Sequence, residues 1–99
     1  MPSDIKTFYM VSLYDHYGEL LTKKQKEYFE DYYFNNLSLS EISENKDVSR
    51  NAIHKVIKEA EKKLIDFEKV LKNYERSNKI KRLIENIDED IKNKIEELL

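Results

Sequence analysis

A chain of 99 residues, 39% apolar and 38% charged, has room for one small domain with an appendage, a thin core and a wet surface. One Gly and one Pro exclude a turn-rich β fold, and the absence of Cys excludes disulfides and thiolate chemistry. The net charge of −2 leaves no surplus of cations for nucleic acid, no apolar run approaches the roughly 20 residues of a membrane span, and MPSDIKTF lacks signal-peptide features, so a cytoplasmic protein without membrane contact is expected.

In chain order, Ser3 and Asp4 can cap a first helix running to about Tyr17, with Ile5, Phe8, Tyr9, Ser12, Leu13 and His16 near one face. Gly18 falls where a helix would stop in the left-handed conformation. Thr22 and Gln25 spell a capping box for a second helix. There Tyr28, Phe29, Tyr32 and Tyr33 make one side aromatic, and Asn35-Asn36 closes it. Ser38 and Glu41 spell another capping box, opening a short helix through about Lys46 with Leu39 and Ile42 inward. Asp47 takes the turn, Val48 plugs the corner and Ser49 caps a long helix. In it Ile53, Val56, Ile57, Ala60, Leu64, Phe67, Leu71 and Tyr74 follow three-and-four spacing with no breaker among them. At Ser77-Asn78 the register shifts, and Ile80, Leu83/Ile84, Ile87, Ile91, Ile95 and Leu98 form the apolar stripe of a terminal helix. The expected fold class is all-α: about five helices and no strand, with a helix-turn-helix domain over residues 1–64 and a C-terminal helical extension over 65–99.

A helix-turn-helix needs a small residue in its first helix, a tight plugged turn, and a capped second helix with a bare polar face. Ser43, Asp47-Val48 and Ser49 supply the first two and the cap, although Lys46 stands where an apolar residue is usual and Asp47 where Gly is usual. With Ala52, Ile53, Val56 and Ile57 turned inward, the opposite side carries Asn51, His54, Lys55, Lys58 and Lys62, and Arg50 sits at the leading turn. Arg can bind guanine bidentately and Asn can bind adenine, so Arg50, Asn51 and His54 are the candidate base contacts. Ser49, Lys55, Lys58 and Lys62 are the candidate phosphate contacts. Lys23, Lys24 and Lys26 crowd the first turn of the second helix, where the helix dipole disfavours cations and favours a phosphate. They read equally well as a second phosphate site or as solvated lysines.

The charge is unevenly placed. Residues 1–36 carry four cations and six carboxylates, residues 37–64 six and five, and residues 65–99 eight and nine. SRNAIHKVIK, Ser49 to Lys58, holds Arg50, Lys55 and Lys58 and no carboxylate, so a local basic face exists on an acidic chain. His16 reads as a core histidine and His54 as a surface one, and nothing completes a metal site. There is neither a phosphate loop nor a nucleophile–base constellation, so no enzyme and no cofactor are expected. The Tyr and Phe of the second helix read as core rather than as a base-stacking platform, which argues against RNA.

Between Leu13 and Leu71 the chain resembles the YlxM-like family of small bacterial proteins, and is also similar to the fourth region of bacterial sigma factors, which reads the upstream promoter element. LLTKKQ, the paired Tyr32-Tyr33, LSLSEI and VSRNAI carry the resemblance. It implies a cytosolic, all-helical DNA-binding protein of transcription regulation. The genes of such proteins typically lie beside that for the protein subunit of the signal recognition particle, so the resemblance also implies a link to that pathway. It places the recognition positions on Ser49, Arg50, Asn51, His54, Lys55 and Lys58. Asn51 stands where relatives often carry Gln, and His54 to Val56 departs from the usual Tyr-Asp-Asn-like run, so no target sequence transfers.

So few cations bind DNA weakly, and doubling the half-sites in a symmetric homodimer is the usual remedy. Phe67, Leu71, Tyr74, Ile80, Ile84, Ile87, Ile91, Ile95 and Leu98 are the candidate dimerisation residues. The alternative arrangement folds the tail over the aromatic face of the second helix in a monomer. The expected partners are double-stranded DNA and a second copy. The alternative function is a protein–protein interaction module of the secretion or transcription machinery that keeps the fold without DNA activity.

Overall fold

The computed structural model describes residues 4–99 and, among these, shows an all-α chain of six helices without a strand. They are α1 (Asp4–Tyr17), α2 (Lys23–Tyr33), α3 (Leu39–Lys46), α4 (Arg50–Leu71), α5 (Asn73–Leu83) and α6 (Glu89–Glu96), with a 3₁₀ turn, Gly18–Leu20, after the first. Both capping boxes form. Thr22 Oγ1 accepts from the Gln25 amide at 3.2 Å while Gln25 Oε1 accepts from the Thr22 amide at 3.0 Å. Ser38 and Glu41 repeat the exchange at 3.1 and 3.0 Å. Each box satisfies two of the amides that a helix start leaves unpaired. The expected cap at Ser3 lies outside the described residues.

One core joins the first four helices: Met10, Leu13 and Tyr17 from α1, Tyr28, Phe29 and Tyr33 from α2, Ile42 from α3, and Ile53, Ile57, Ala60 and Leu64 from α4. Phe29 lies between Tyr14 and Tyr33, with ring centroids 4.7 and 4.4 Å away. The aromatic side of α2 is therefore core, as its spacing indicates, with Tyr32 half-buried at the edge.

Four expectations are corrected. The inward face of α1 is carried by Met10, Leu13 and Tyr17, whereas Ile5 and Phe8 are 86% and 68% exposed. Apolar residues lie on both sides of α1, and the position of α4, not the hydrophobic pattern, selects between them. His16 is exposed rather than in the core, beside the rings of Tyr17 and Tyr74. Gly18 is not left-handed, since no glycine has positive φ. Its lack of a side chain matters because a Cβ there would sit 3.0 Å from the Tyr14 ring. Finally, the long helix stops at Leu71 rather than running on past Tyr74, because Lys72 turns left-handed (φ 54°, ψ 30°). Beyond it the single expected terminal helix is two, α5 and α6.

α5 packs on α1 and α4 rather than across the aromatic face of α2, and the molecule is long, 52 × 25 × 21 Å. None of the described helices is long and apolar enough to cross a membrane.

Candidate nucleic-acid interface

The site begins at a turn. Asp47 adopts the left-handed conformation (φ 55°, ψ 43°) and its amide closes α3 on the Ser43 carbonyl. The Val48 amide donates to the same carbonyl at 3.3 Å, and the Ser43 hydroxyl donates back to the Val48 carbonyl. Ser43 is thus more than a small residue: its side chain pins the turn. Ser49 Oγ accepts from the Ala52 amide at 3.1 Å, starting α4. Ile42 and Ile53, both fully buried, join α3 to α4 through the core.

The departure at Lys46 has a structural reason. Its ammonium reaches α2, bonding Glu27 and lying 3.9 Å from Asp31. The bond to Lys46 holds the Glu27 carboxyl below the usual range, and the same bond raises the Lys46 ammonium. A cation fits where an apolar residue is usual because two carboxylates of α2 face it.

α4 then presents two faces. Ile53, Ile57, Ala60 and Leu64 are buried, and Ala52 and Val56 are half-buried. Ser49, Arg50, Asn51, His54, Lys55, Lys58 and Lys62 are all exposed. Arg50 is steadied by its guanidinium donating to Ser40 Oγ of α3 at 3.3 Å. The side chains of Asn51, His54 and Lys55 make no hydrogen bond or ion pair with any other described residue. Lys58 pairs with Glu61 at 3.3 Å, and that neighbouring charge raises its ammonium. Lys62 pairs with Asp66 at 2.8 Å.

Glu61 is the residue that the sequence reading passes over. It is buried, accepts a hydrogen bond from Tyr33, and has the Lys6 ammonium 3.6 Å away. A signal existed: it lies four residues after Ile57 and three before Leu64, on the inward stripe. The second basic cluster sits elsewhere. Lys23 and Lys24 are exposed, while Lys26 pairs with Glu19 at 3.0 Å. The start of α2 is fixed by Lys63 donating to Gln25 Oε1 at 3.1 Å. That contact is about 20 Å along α4 from Arg50. The structure therefore groups Ser49 to Lys58 and sets Lys23–Lys26 apart.

Of the candidate dimerisation residues, Leu71, Ile87, Ile91 and Leu98 are exposed. Phe67, Tyr74, Ile80 and Ile95 are half-buried, and Ile84 is buried within the single chain.

A family described as "Putative helix-turn-helix protein, YlxM / p13 like" matches residues 5–99. The chain belongs to the UPF0122 family. It is 47% identical over 87 residues to a UPF0122 protein of Malacoplasma penetrans, covering 88% of this chain and 79% of that one. A Thermoanaerobacter relative is 45% identical over 83 residues, covering 84% and 71%. One from Ureaplasma urealyticum is 45% identical over 74 residues, covering 75% of each chain. The family match extends beyond the helix-turn-helix through α5 and α6, so the UPF0122 family description takes in the C-terminal arm as well.

Proposed function

We propose that this chain is a non-enzymatic DNA-binding regulator that lays the first turns of α4 in the major groove. The observation that carries it is the exposed polar face of the carboxylate-free run from Ser49 to Lys58, set on a pinned turn and backed by the core. Arg50, Asn51 and His54 are the base contacts, and Ser49, Lys55 and Lys58 the phosphate contacts. Lys62 and the Lys23–Lys26 cluster are outer phosphate contacts. We further propose that two copies pair through the exposed Leu71, Ile87, Ile91 and Leu98, and that the regulated expression is tied to the signal recognition particle genes, as the family resemblance implies.

The test is fluorescence anisotropy with duplex DNA from the protein's own upstream region, beside an Arg50→Ala/Lys55→Ala/Lys58→Ala variant. With about four or five phosphates neutralised, affinity should fall about 150- to 500-fold between 50 and 200 mM salt. Binding equally strong in the triple variant would refute this assignment. A protein-interaction module is the second reading, favoured by the pairing of Lys58 with Glu61 and of Lys62 with Asp66, which neutralises two of the exposed cations. It predicts no binding to any duplex at low salt.

A further inference from the structure

The corner between α4 and α5 has a one-residue linker, and that residue is a lysine in a left-handed conformation usually left to Gly or Asn. Nothing in the local sequence demands a break. EKVLKNYERS, Glu68 to Ser77, holds no Gly or Pro, and the apolar spacing runs from Leu64 through Phe67 and Leu71 to Tyr74. What holds the bend comes from α1 and from the preceding turn of α4. Tyr17 Oη donates to Glu68 Oε1 at 2.6 Å and accepts from the Asn73 amide at 3.0 Å. Glu68 Oε1 also accepts from the Tyr74 amide at 3.1 Å, and Oε2 from the Glu75 amide at 3.0 Å.

The three amides that open α5 are thus satisfied by two side chains. In an unbroken helix the same three would bond the carbonyls of Lys69, Val70 and Leu71. Bent and straight forms therefore leave no amide unpaired. The straight form also relieves Lys72, and the bent form gains the clasp and the seat of Tyr74. That seat is modest: Tyr74 meets Tyr9 and His16 edge-on, with centroids 5.9 and 6.0 Å apart. A cleft of about 310 Å³ remains beside it, among His16, Asn73, Arg76, Ser77, Ile80 and the terminal leucines.

We propose that the α4–α5 corner is a clasped hinge: releasing Glu68 and Tyr17 from the start of α5 lets α4 and α5 join as one continuous helix and swings the 73–99 arm away from α1. This goes beyond the DNA reading and does not depend on it. The arm carries the exposed Ile87, Ile91 and Leu98, so the hinge sets where that apolar surface stands relative to the recognition face.

The chain has no Cys, so spin labels at Glu59→Cys and Arg82→Cys report the corner alone by pulsed dipolar spectroscopy. In a continuous helix these positions are about 35 Å apart, and the bend brings them closer. The parent protein should give one short distance. Tyr17→Phe should add a population near 35 Å, Glu68→Ala should make it dominant, and Lys72→Gly added to Glu68→Ala should restore the short distance. If Tyr17→Phe and Glu68→Ala both keep the single short distance, the hinge is refuted. Should Glu68→Ala fail to melt cooperatively, Lys72→Ala decides, since it leaves core and clasp intact. A long population there supports the hinge, and its absence overturns it.

Discussion

Replacing Tyr33 by Phe removes one oxygen atom and tests what holds the buried end of α2 against α4. The Tyr33 hydroxyl donates to Glu61, whose carboxylate is buried and otherwise faces Lys58 at 3.3 Å and Lys6 at 3.6 Å. Both lysines are themselves half or nearly half exposed, so water screens their share of the compensation. A hydrogen bond to a buried charge contributes about 2 kcal/mol, and its loss leaves Glu61 short of a donor where water does not readily reach. In a domain of this size that corresponds to a fall in Tm of about 8–16 °C. Urea and thermal unfolding followed by circular dichroism at neutral pH measure it. Tyr32→Phe is the control, because the Tyr32 hydroxyl has no hydrogen-bond partner among the described residues and should change stability by less than about 0.5 kcal/mol. A Tyr33→Phe loss as small as the control's would refute the claim that Glu61 depends on this phenol.

Three further outcomes follow from the same geometry. Tyr9, Tyr14, Tyr17 and Tyr33 all have phenols raised above 10.0, by burial first and, except in Tyr9, then by hydrogen bonds to carboxylates. The folded state therefore holds these protons more tightly than the unfolded one. Their contribution is complete below pH 10 and is lost as pH rises beyond it, so the share of tyrosinate absorbance that belongs to these four, the share lost in their Phe variants, should appear together with loss of helicity rather than before it. At the turn, Asp47→Gly should be within about 0.5 kcal/mol of the parent, whereas Asp47→Val should cost about 1–2 kcal/mol by chemical denaturation, because a branched side chain is strained at φ 55°. For the proposed dimer, the parent should sediment as two copies and Ile87→Asp with Ile91→Asp as a monomer at micromolar concentration, and a double variant still dimeric would refute pairing through these residues.

What could be read from the chain was local. Capping boxes span four residues, and the turn, its cap and the two faces of α4 lie within about three turns of helix, so Thr22, Ser38, Ser43, Asp47 and Ser49 announce themselves. What could not be read depends on partners far away in sequence. The break at Lys72 is held by Tyr17, 51 residues before Glu68, while the segment itself reads as helix throughout. The expected face of α1 groups Ile5 and Phe8 with Leu13, and since these match Met10 in hydrophobicity only the placement of α4 separates the exposed from the buried. Lys46 departs from the apolar residue usual at its position, and the reason, two α2 carboxylates facing it, lies 15 and 19 residues earlier in the chain.

The freedom of the Asn51, His54 and Lys55 side chains from hydrogen bonds and ion pairs separates folding from the proposed contact with DNA. Since these exposed side chains make no hydrogen bond or ion pair, polar substitutions at the three should change stability by less than about 0.5 kcal/mol. Under the DNA reading proposed above, one scaffold can therefore present different side chains to different sequences. Arg50, leaning on Ser40, is the fixed point against which such changes would be registered. Changes to the outward half of α4 would then alter the proposed binding, while changes at Ile53, Ile57 and Leu64 on its inward half would alter whether the helices pack at all.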